Sequence, residues 1–265
     1  MDDSCLKLLD VGTGTDSRRI AVRQRPGSAP GIFWLGGFKS DMQGTKAAAL
    51  DEWAARRGRA CTRFDYSGHG ESGGDFAEGT IGRWLEDAVA VFTGAQGPQI
   101  LVGSSMGGWI ALLLVRELRR RAAAGQKLGA SVAGLVLIAP AVDFTEALMW
   151  KNFPPQVRRE IAENGFWLRP SDYDPVGYPI TRALIEEGRN HLLLDGLIEV
   201  GCPVRILQGV QDTDVPWRHA TEVSSRLAHD DVVLTLVKDG DHRLSRPEDI
   251  ERLIAAIEEF WAAYS

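Results

Sequence analysis

Between Gln99 and Leu118 an apolar run, Ile100-Leu101-Val102, passes into an apolar helical pattern with only Gly103-Ser104-Ser105-Met106-Gly107-Gly108 between them. Such a join forces a strand to turn sharply into a helix, with Ser105 at the apex of a Gly-x-Ser-x-Gly pattern. A turn this tight strains the backbone of the apex residue and brings the flanking chain so close that side chains at 103 and 107 would collide. The Ser105 hydroxyl is thereby pushed out of the fold, where it can reach a substrate. The spacing alone decides little, because glycine supplies 29 of 265 residues and Gly70, Ser72 and Gly74 repeat the pattern. Ser72 sits in a glycine-rich loop, with no strand directly before it and no apolar helix after it, and reads as a loop turn. Ser105 is the expected nucleophile.

The rest of the chain fits a strand–helix alternation. Leu6–Leu9 and Arg18–Arg25 read as an opening pair of strands. Gly31–Leu35, Ala60–Asp65, Ile100–Ser104, Val132–Ala139, Val204–Gln208 and Val232–Val237 follow as further strands, most of them continuous apolar runs. Thr45–Arg57, Thr80–Phe92, the segment after Ser105 and the final stretch through Trp261 carry helical spacing; in the last, Ile250, Leu253, Ile254, Ile257, Phe260 and Trp261 share one face. Strands apolar on both faces, separated by amphipathic helices, imply an α/β fold with a mostly parallel eight-stranded sheet flanked by helices. One domain over 1–265 is expected, interrupted at 141–200. That segment shows no good strand and is rich in aromatics and prolines, so it is expected to form a helical lid or cap.

Composition bounds the function. A net charge of −6 gives no default attraction to nucleic acid, and the Arg116, Arg119, Arg120 and Arg121 cluster suits a helix C-terminus. The 3 cysteines, Cys5, Cys61 and Cys202, are scattered and match neither a disulfide framework nor a metal spacing. No run approaches the ~18 apolar residues of a membrane span. The acidic opening Met1-Asp2-Asp3-Ser4 resembles neither a signal peptide nor a transit peptide, and a cytoplasmic location is expected.

A serine hydroxyl needs a base to take its proton, and the base needs a carboxylate that fixes its tautomer and stabilises its charged form. In a parallel sheet these groups belong at the carboxyl ends of strands, where the binding crevice lies. Of the 5 histidines, His69 is in the glycine-rich loop, His191 in the insertion, and His219 and His229 at the two ends of a helix. Only His242 follows the carboxyl end of a late strand. Asp212 and Asp214 both follow Val204–Gln208, and Asp212, nearer the strand end, is the expected acid. Backbone N–H groups of Met106 and Phe38 are the expected oxyanion-hole donors. Gly37 and, within the insertion, Trp150, Phe153 and Trp167 are expected to bind substrate. No metal or other cofactor is required.

With those residues in place the chain resembles the α/β-hydrolase superfamily over nearly its full length. Gly103-Ser104-Ser105-Met106-Gly107 is similar to its nucleophile elbow, and Asp65-Tyr66-Ser67-Gly68-His69-Gly70-Glu71-Ser72 to the loop after its fourth strand. A closer resemblance rests on Gly37–Ala47, Arg63–Gly68, Gly97–Ser105 and Asp241-His242-Arg243. These stretches resemble a mitochondrial family of palmitoyl-protein thioesterases, also described as acyl-glucuronide esterases. The resemblance implies hydrolysis of small-molecule esters or thioesters, or of an acylated protein, through an acyl-enzyme. The same triad also serves acyl transfer, peptide cleavage and carbon–carbon hydrolysis, and the scaffold occurs without catalysis. The resemblance speaks less to the 141–200 insertion, which would line the acyl pocket.

Overall fold

The computed structural model describes residues 5–171, 174–228 and 231–262. The strands in chain order are β1 (Cys5–Val11), β2 (Arg18–Arg25), β3 (Ser28–Leu35), β4 (Arg59–Phe64), β5 (Gly97–Ser104), β6 (Ala130–Ile138), β7 (Phe166–Ser171), β8 (Asp174–Thr181), β9 (Val204–Gly209) and β10 (Val232–Val237). The helices are α1 (Thr45–Arg57), α2 (Ile81–Thr93), α3 (Met106–Ala123), α4 (Pro155–Asn164), α5 (Arg182–Gly188), α6 (Trp217–Arg226) and α7 (Pro247–Ala262). Eight strands form one sheet in the order β1-β2-β4-β3-β5-β6-β9-β10. Only β2 runs against its neighbours, β1 and β4, and every other pairing is parallel.

Period-two alternation explains why these strands read as unbroken apolar runs. Phe33 and Leu35 of β3, Leu101 of β5, and Leu135 and Leu137 of β6 face one core, shared with Trp84 and Phe92 of α2, Trp109 of α3 and Val223 of α6. Ile32 and Trp34, Ile100 and Val102, and Val136 and Ile138 face the other, with Leu50 and Trp53 of α1 and Ile257, Phe260 and Trp261 of α7. Both faces are covered, so an apolar residue suits every position of the central strands. The two helices of the second face meet where Trp53 stacks on Trp261, ring centroids 4.5 Å apart and 5° from parallel. Such a pair contributes about 0.5–1.5 kcal/mol beyond its buried area.

The 141–200 insertion departs from expectation. Helices α4 and α5 are present, but β7 and β8 pair antiparallel as a hairpin, so the segment is neither strand-free nor purely helical. Prolines hid these strands: Pro170, Pro175 and Pro179 lie within them. Proline cannot donate to a ladder, yet in a two-stranded hairpin each strand has an unpaired side where it is tolerated. Asp143 ties the start of the insertion to its end, its carboxylate accepting the Leu193 N–H at 3.0 Å and the Leu194 N–H at 2.9 Å. Among the described residues no helix is long and apolar enough to cross a membrane.

Candidate active site

Ser105 occupies the junction of β5 and α3 with φ 55° and ψ −117°, a conformation L residues rarely adopt. The neighbours explain how it is held there. A Cβ at Gly103 would run into the Gly107 carbonyl, and one at Gly107 into the Leu35 and Gly36 carbonyls. The Ser105 N–H donates to Ile138 O at 2.8 Å, and its carbonyl accepts from Gly108 at 2.9 Å and Ala141 at 3.1 Å. Backbone strain is thus fixed by bonds to two neighbouring segments.

Asp212 and His242 reach the same point from two adjacent strand ends. The loop after β9 lies against the loop after β10, with Val210 N–H donating to Val237 O at 2.8 Å and Gln211 N–H to Gly240 O at 2.9 Å. Gly209 lets these loops touch, since a Cβ there would meet the Gly240 and Asp241 carbonyls. The Asp212 carboxylate is fully buried. Its Oδ1 accepts from the Asp214 N–H at 2.9 Å and the Val215 N–H at 2.8 Å. Its Oδ2 accepts from Gln208 Nε2 at 3.1 Å and from His242 Nδ1–H at 2.8 Å. With Nδ1–H so committed, His242 Nε2 carries the lone pair and accepts the Ser105 Oγ–H at 3.1 Å. The hydroxyl is linked through the imidazole to a buried, fully hydrogen-bonded carboxylate, an arrangement able to remove its proton and carry the resulting charge.

Asp214 is turned elsewhere: its carboxylate is half exposed and pairs with Arg169 of β7 at 3.6 Å. Asp212, Asp214 and His242 do offer ligand atoms within 4.8 Å of one another. Both Asp212 oxygens and His242 Nδ1 are already engaged in the bonds above, so a cation would have to break that network.

Two cavities meet at Ser105 and His242. The larger, about 690 Å³, is lined by Gly37, Lys39, Lys46, Arg169 and Arg243 among others. Burial holds the Lys46 ammonium down to about 8, and that ammonium donates to the Arg243 carbonyl beside His242. The smaller, about 320 Å³, is walled by Met106, Ala141, Phe144, Leu148, Met149 and Val215. Arg169 of β7 and Tyr178 of β8 line both cavities, so the hairpin overhangs the serine. Phe38 also lines both, and its ring meets Tyr178 at 5.8 Å and Phe144 at 5.7 Å. Met106 is the first residue of α3, so its N–H has no intrahelical acceptor and stays available beside Ser105.

The residues expected to bind substrate divide. Gly37 lines the larger cavity, but Trp150, Phe153 and Trp167 line neither. Phe153 and Trp167 pack edge to face at 5.4 Å, and Trp150 lies under the guanidinium groups of Arg158 and Arg189. These aromatics pack on one another and against the core beneath the insertion, whereas Phe144, Met149 and Tyr178 hold the places expected of them. Of the remaining histidines, two of the described ones have partners away from the serine. His191 pairs with Glu187, His219 donates to Val142 O at 2.9 Å, and His229 falls outside the described residues. Ser72 is a loop residue, its Oγ–H donating to Asp65 O at 2.6 Å and its Oγ accepting the Ala21 N–H at 2.8 Å.

Comparison with known proteins places the chain in a family. The alpha/beta hydrolase family model matches residues 28–255. Human palmitoyl-protein thioesterase ABHD10, mitochondrial, is 37% identical over 246 residues, 92% of this chain and 77% of the relative. A solved structure of mouse alpha/beta hydrolase domain-containing protein 10 is 37% identical with a TM-score of 0.84, covering 99% of this chain and 100% of that one. A protein of Agrobacterium vitis S4 is 50% identical with a TM-score of 0.91, covering 97% of this chain and 98% of that one. The mitochondrial relatives overturn the expected cytoplasmic location. Compartment is read by targeting machinery and not from fold or overall composition, so neither was a guide to it.

Proposed function

The chain belongs to the alpha/beta hydrolase family, and from that we propose that it is a serine hydrolase cleaving carboxylic esters or thioesters through an acyl-enzyme on Ser105. What carries the proposal is the line from Ser105 Oγ through His242 to Asp212, at 3.1 and 2.8 Å. Ser105 Oγ attacks the carbonyl carbon while His242 Nε2 takes its proton. The carbonyl electron pair moves onto oxygen, and the oxyanion is met by the Met106 and Phe38 N–H groups. One such donor is worth about 2.7–4 kcal/mol of transition-state stabilisation. Collapse expels the alcohol or thiol, which receives the proton from His242. Water, deprotonated by the same nitrogen, then releases the acid and restores the serine. Asp212 keeps Nδ1 protonated throughout and stabilises the imidazolium as it forms.

The thioester half of the proposal comes from the relatives named as palmitoyl-protein thioesterases. Phe144, Leu148, Met149 and Val215 in the wall of the smaller cavity suit an acyl group, and the larger cavity, which reaches Lys39, Lys46 and Arg243, takes the leaving group. The 141–200 segment, with its hairpin over both, acts as the cap. The test is turnover of p-nitrophenyl esters and acyl-CoA thioesters by the wild type and by Ser105→Ala. The expected loss in the variant reaches about 10⁶-fold, by the scale of triad removal in an unrelated protease; comparable rates would contradict the proposal.

A further inference from the structure

One buried histidine remains outside the account so far. His69 lies in the loop after β4, only 5% exposed. Its ring is enclosed edge to face by Tyr66 at 5.8 Å, Phe76 at 5.2 Å and Trp84 at 5.3 Å. An imidazole in such a place carries a desolvation penalty that a phenyl ring would avoid, so its two nitrogens need partners. Nδ1 lies 3.1 Å from the Ser67 carbonyl, which can only accept, so Nδ1 holds the proton. Nε2 therefore presents a lone pair, and the Lys39 N–H donates to it at 3.2 Å. Burial holds the ring's pKa down to about 4 and keeps it neutral at working pH.

Lys39 is the residue after Phe38, in the turn that leaves β3, and its φ of 60° is left-handed, unfavourable for a lysine. A strained turn needs an external bond to keep it, and His69 supplies one. The other end of this support is rigid. The Ser67 N–H and Oγ–H both donate to the buried Asp87 carboxylate at 2.8 and 2.7 Å, and Asp87 is paired with the buried Arg18 at 2.8 Å. The Ser67 carbonyl also accepts from Trp84 Nε1 at 3.1 Å.

We propose that His69 is a positioning residue for the oxyanion hole: by accepting the Lys39 N–H it holds the Phe38–Lys39 turn so that the Phe38 N–H faces the carbonyl oxygen of the substrate. The chain Arg18–Asp87–Ser67–His69–Lys39 runs from the buried β2–α2 contact to the mouth of the site. This inference rests on the serine-hydrolase reading of Ser105, and the test separates the two.

Two substitutions at 69 split the ring's functions. In His69→Asn the side-chain polar atoms end where Nδ1 lies, so the Ser67 contact survives and Lys39 loses its acceptor. His69→Gln extends one bond further and can return an oxygen to the Nε2 position. Expected for Asn is a fall in kcat of about 10- to 100-fold, part of the 10²–10³ that follows deletion of an oxyanion donor, with KM changed less than about twofold. Gln should restore kcat to within a few-fold of wild type. A trifluoromethyl ketone forms a tetrahedral oxyanion on the serine, so its Ki should rise for Asn in step with the loss of kcat/KM. Equal kcat for Asn and wild type, or equal losses for Asn and Gln with an unchanged Ki, would overturn the proposal. Independent of any substitution, ¹⁵N–¹H long-range NMR of the wild type should find His69 protonated at Nδ1 and bare at Nε2; the opposite tautomer overturns it too. Undiminished turnover in Ser105→Ala would instead overturn the reading beneath it.

Discussion

At the scale of single residues, the placement of Asp212 turns on the geometry of two nearby carboxylates. Both Asp212 and Asp214 follow β9, and distance from the strand end favoured the first. The structure supplies the physical reason: Asp212 folds back beneath Val215 and collects four donors, whereas Asp214 reaches outward to Arg169. Asp212→Asn tests the assigned role. The asparagine keeps an oxygen for the Asp214 and Val215 N–H groups, so the loop should hold. Its amide would face the His242 Nδ1–H with another donor and drive the ring to the wrong tautomer. A loss of about 10⁴ in kcat is expected, as for the equivalent change in another serine hydrolase, with the melting temperature little altered. Stopped ester turnover curves and a thermal scan check both halves.

At the scale of elements, the sheet and its flanking helices were legible because each is written in a period. Every central strand alternates between two cores, and α7 displays its i, i+3, i+4 stripe through Trp261. That Ser105, Asp212 and His242 would meet was legible for the same reason, since strand ends say where the crevice lies. The insertion was not. Its hairpin is disguised by prolines, and its most conspicuous aromatics, Trp150, Phe153 and Trp167, serve packing. Aromatic content reports that a segment has a core, not which way that core faces. His69 was legible only as a loop residue, because its partner is a backbone N–H remote in sequence. The smaller cavity makes a prediction for this scale. At ~30 Å³ per water-sized group, about 320 Å³ accommodates about ten non-hydrogen atoms. Across p-nitrophenyl esters of increasing chain length, kcat/KM should peak near eight to ten carbons, on the order of that count. Leu148→Trp, which intrudes on the chamber, should move the peak to shorter chains. A peak that stays put in the variant would mean that the acyl group lies elsewhere.

At the scale of the whole molecule, the polar interior behind the site ties stability to pH. His69 is held near 4 by burial, against an ordinary value of 6.5. Between those values the unfolded chain binds a proton that the native ring refuses. Its contribution is therefore intact above about pH 6.5, falls as pH drops through the window, and levels off below about 4. The full effect is about 3 kcal/mol, at 1.36 kcal/mol per unit. His219, lowered by burial as well, and the buried carboxyls of Asp65 and Asp87, raised by burial, are common to wild type and His69→Gln. The difference in urea unfolding free energy between those two proteins isolates the ring. Relative to its value at pH 7, that difference should move against the wild type by up to about 3 kcal/mol at pH 4; a flat difference would place the ring in contact with water.

The central claim is that Ser105, activated through His242 and Asp212, forms a covalent acyl-enzyme. Intact-mass spectrometry after treatment with a fluorophosphonate tests it most directly. One phosphonyl adduct should appear on the folded wild type, map to Ser105, and be absent from Ser105→Ala at equal exposure. A folded wild type that stays unlabelled, or a Ser105→Ala variant that labels to the same extent, would contradict the account.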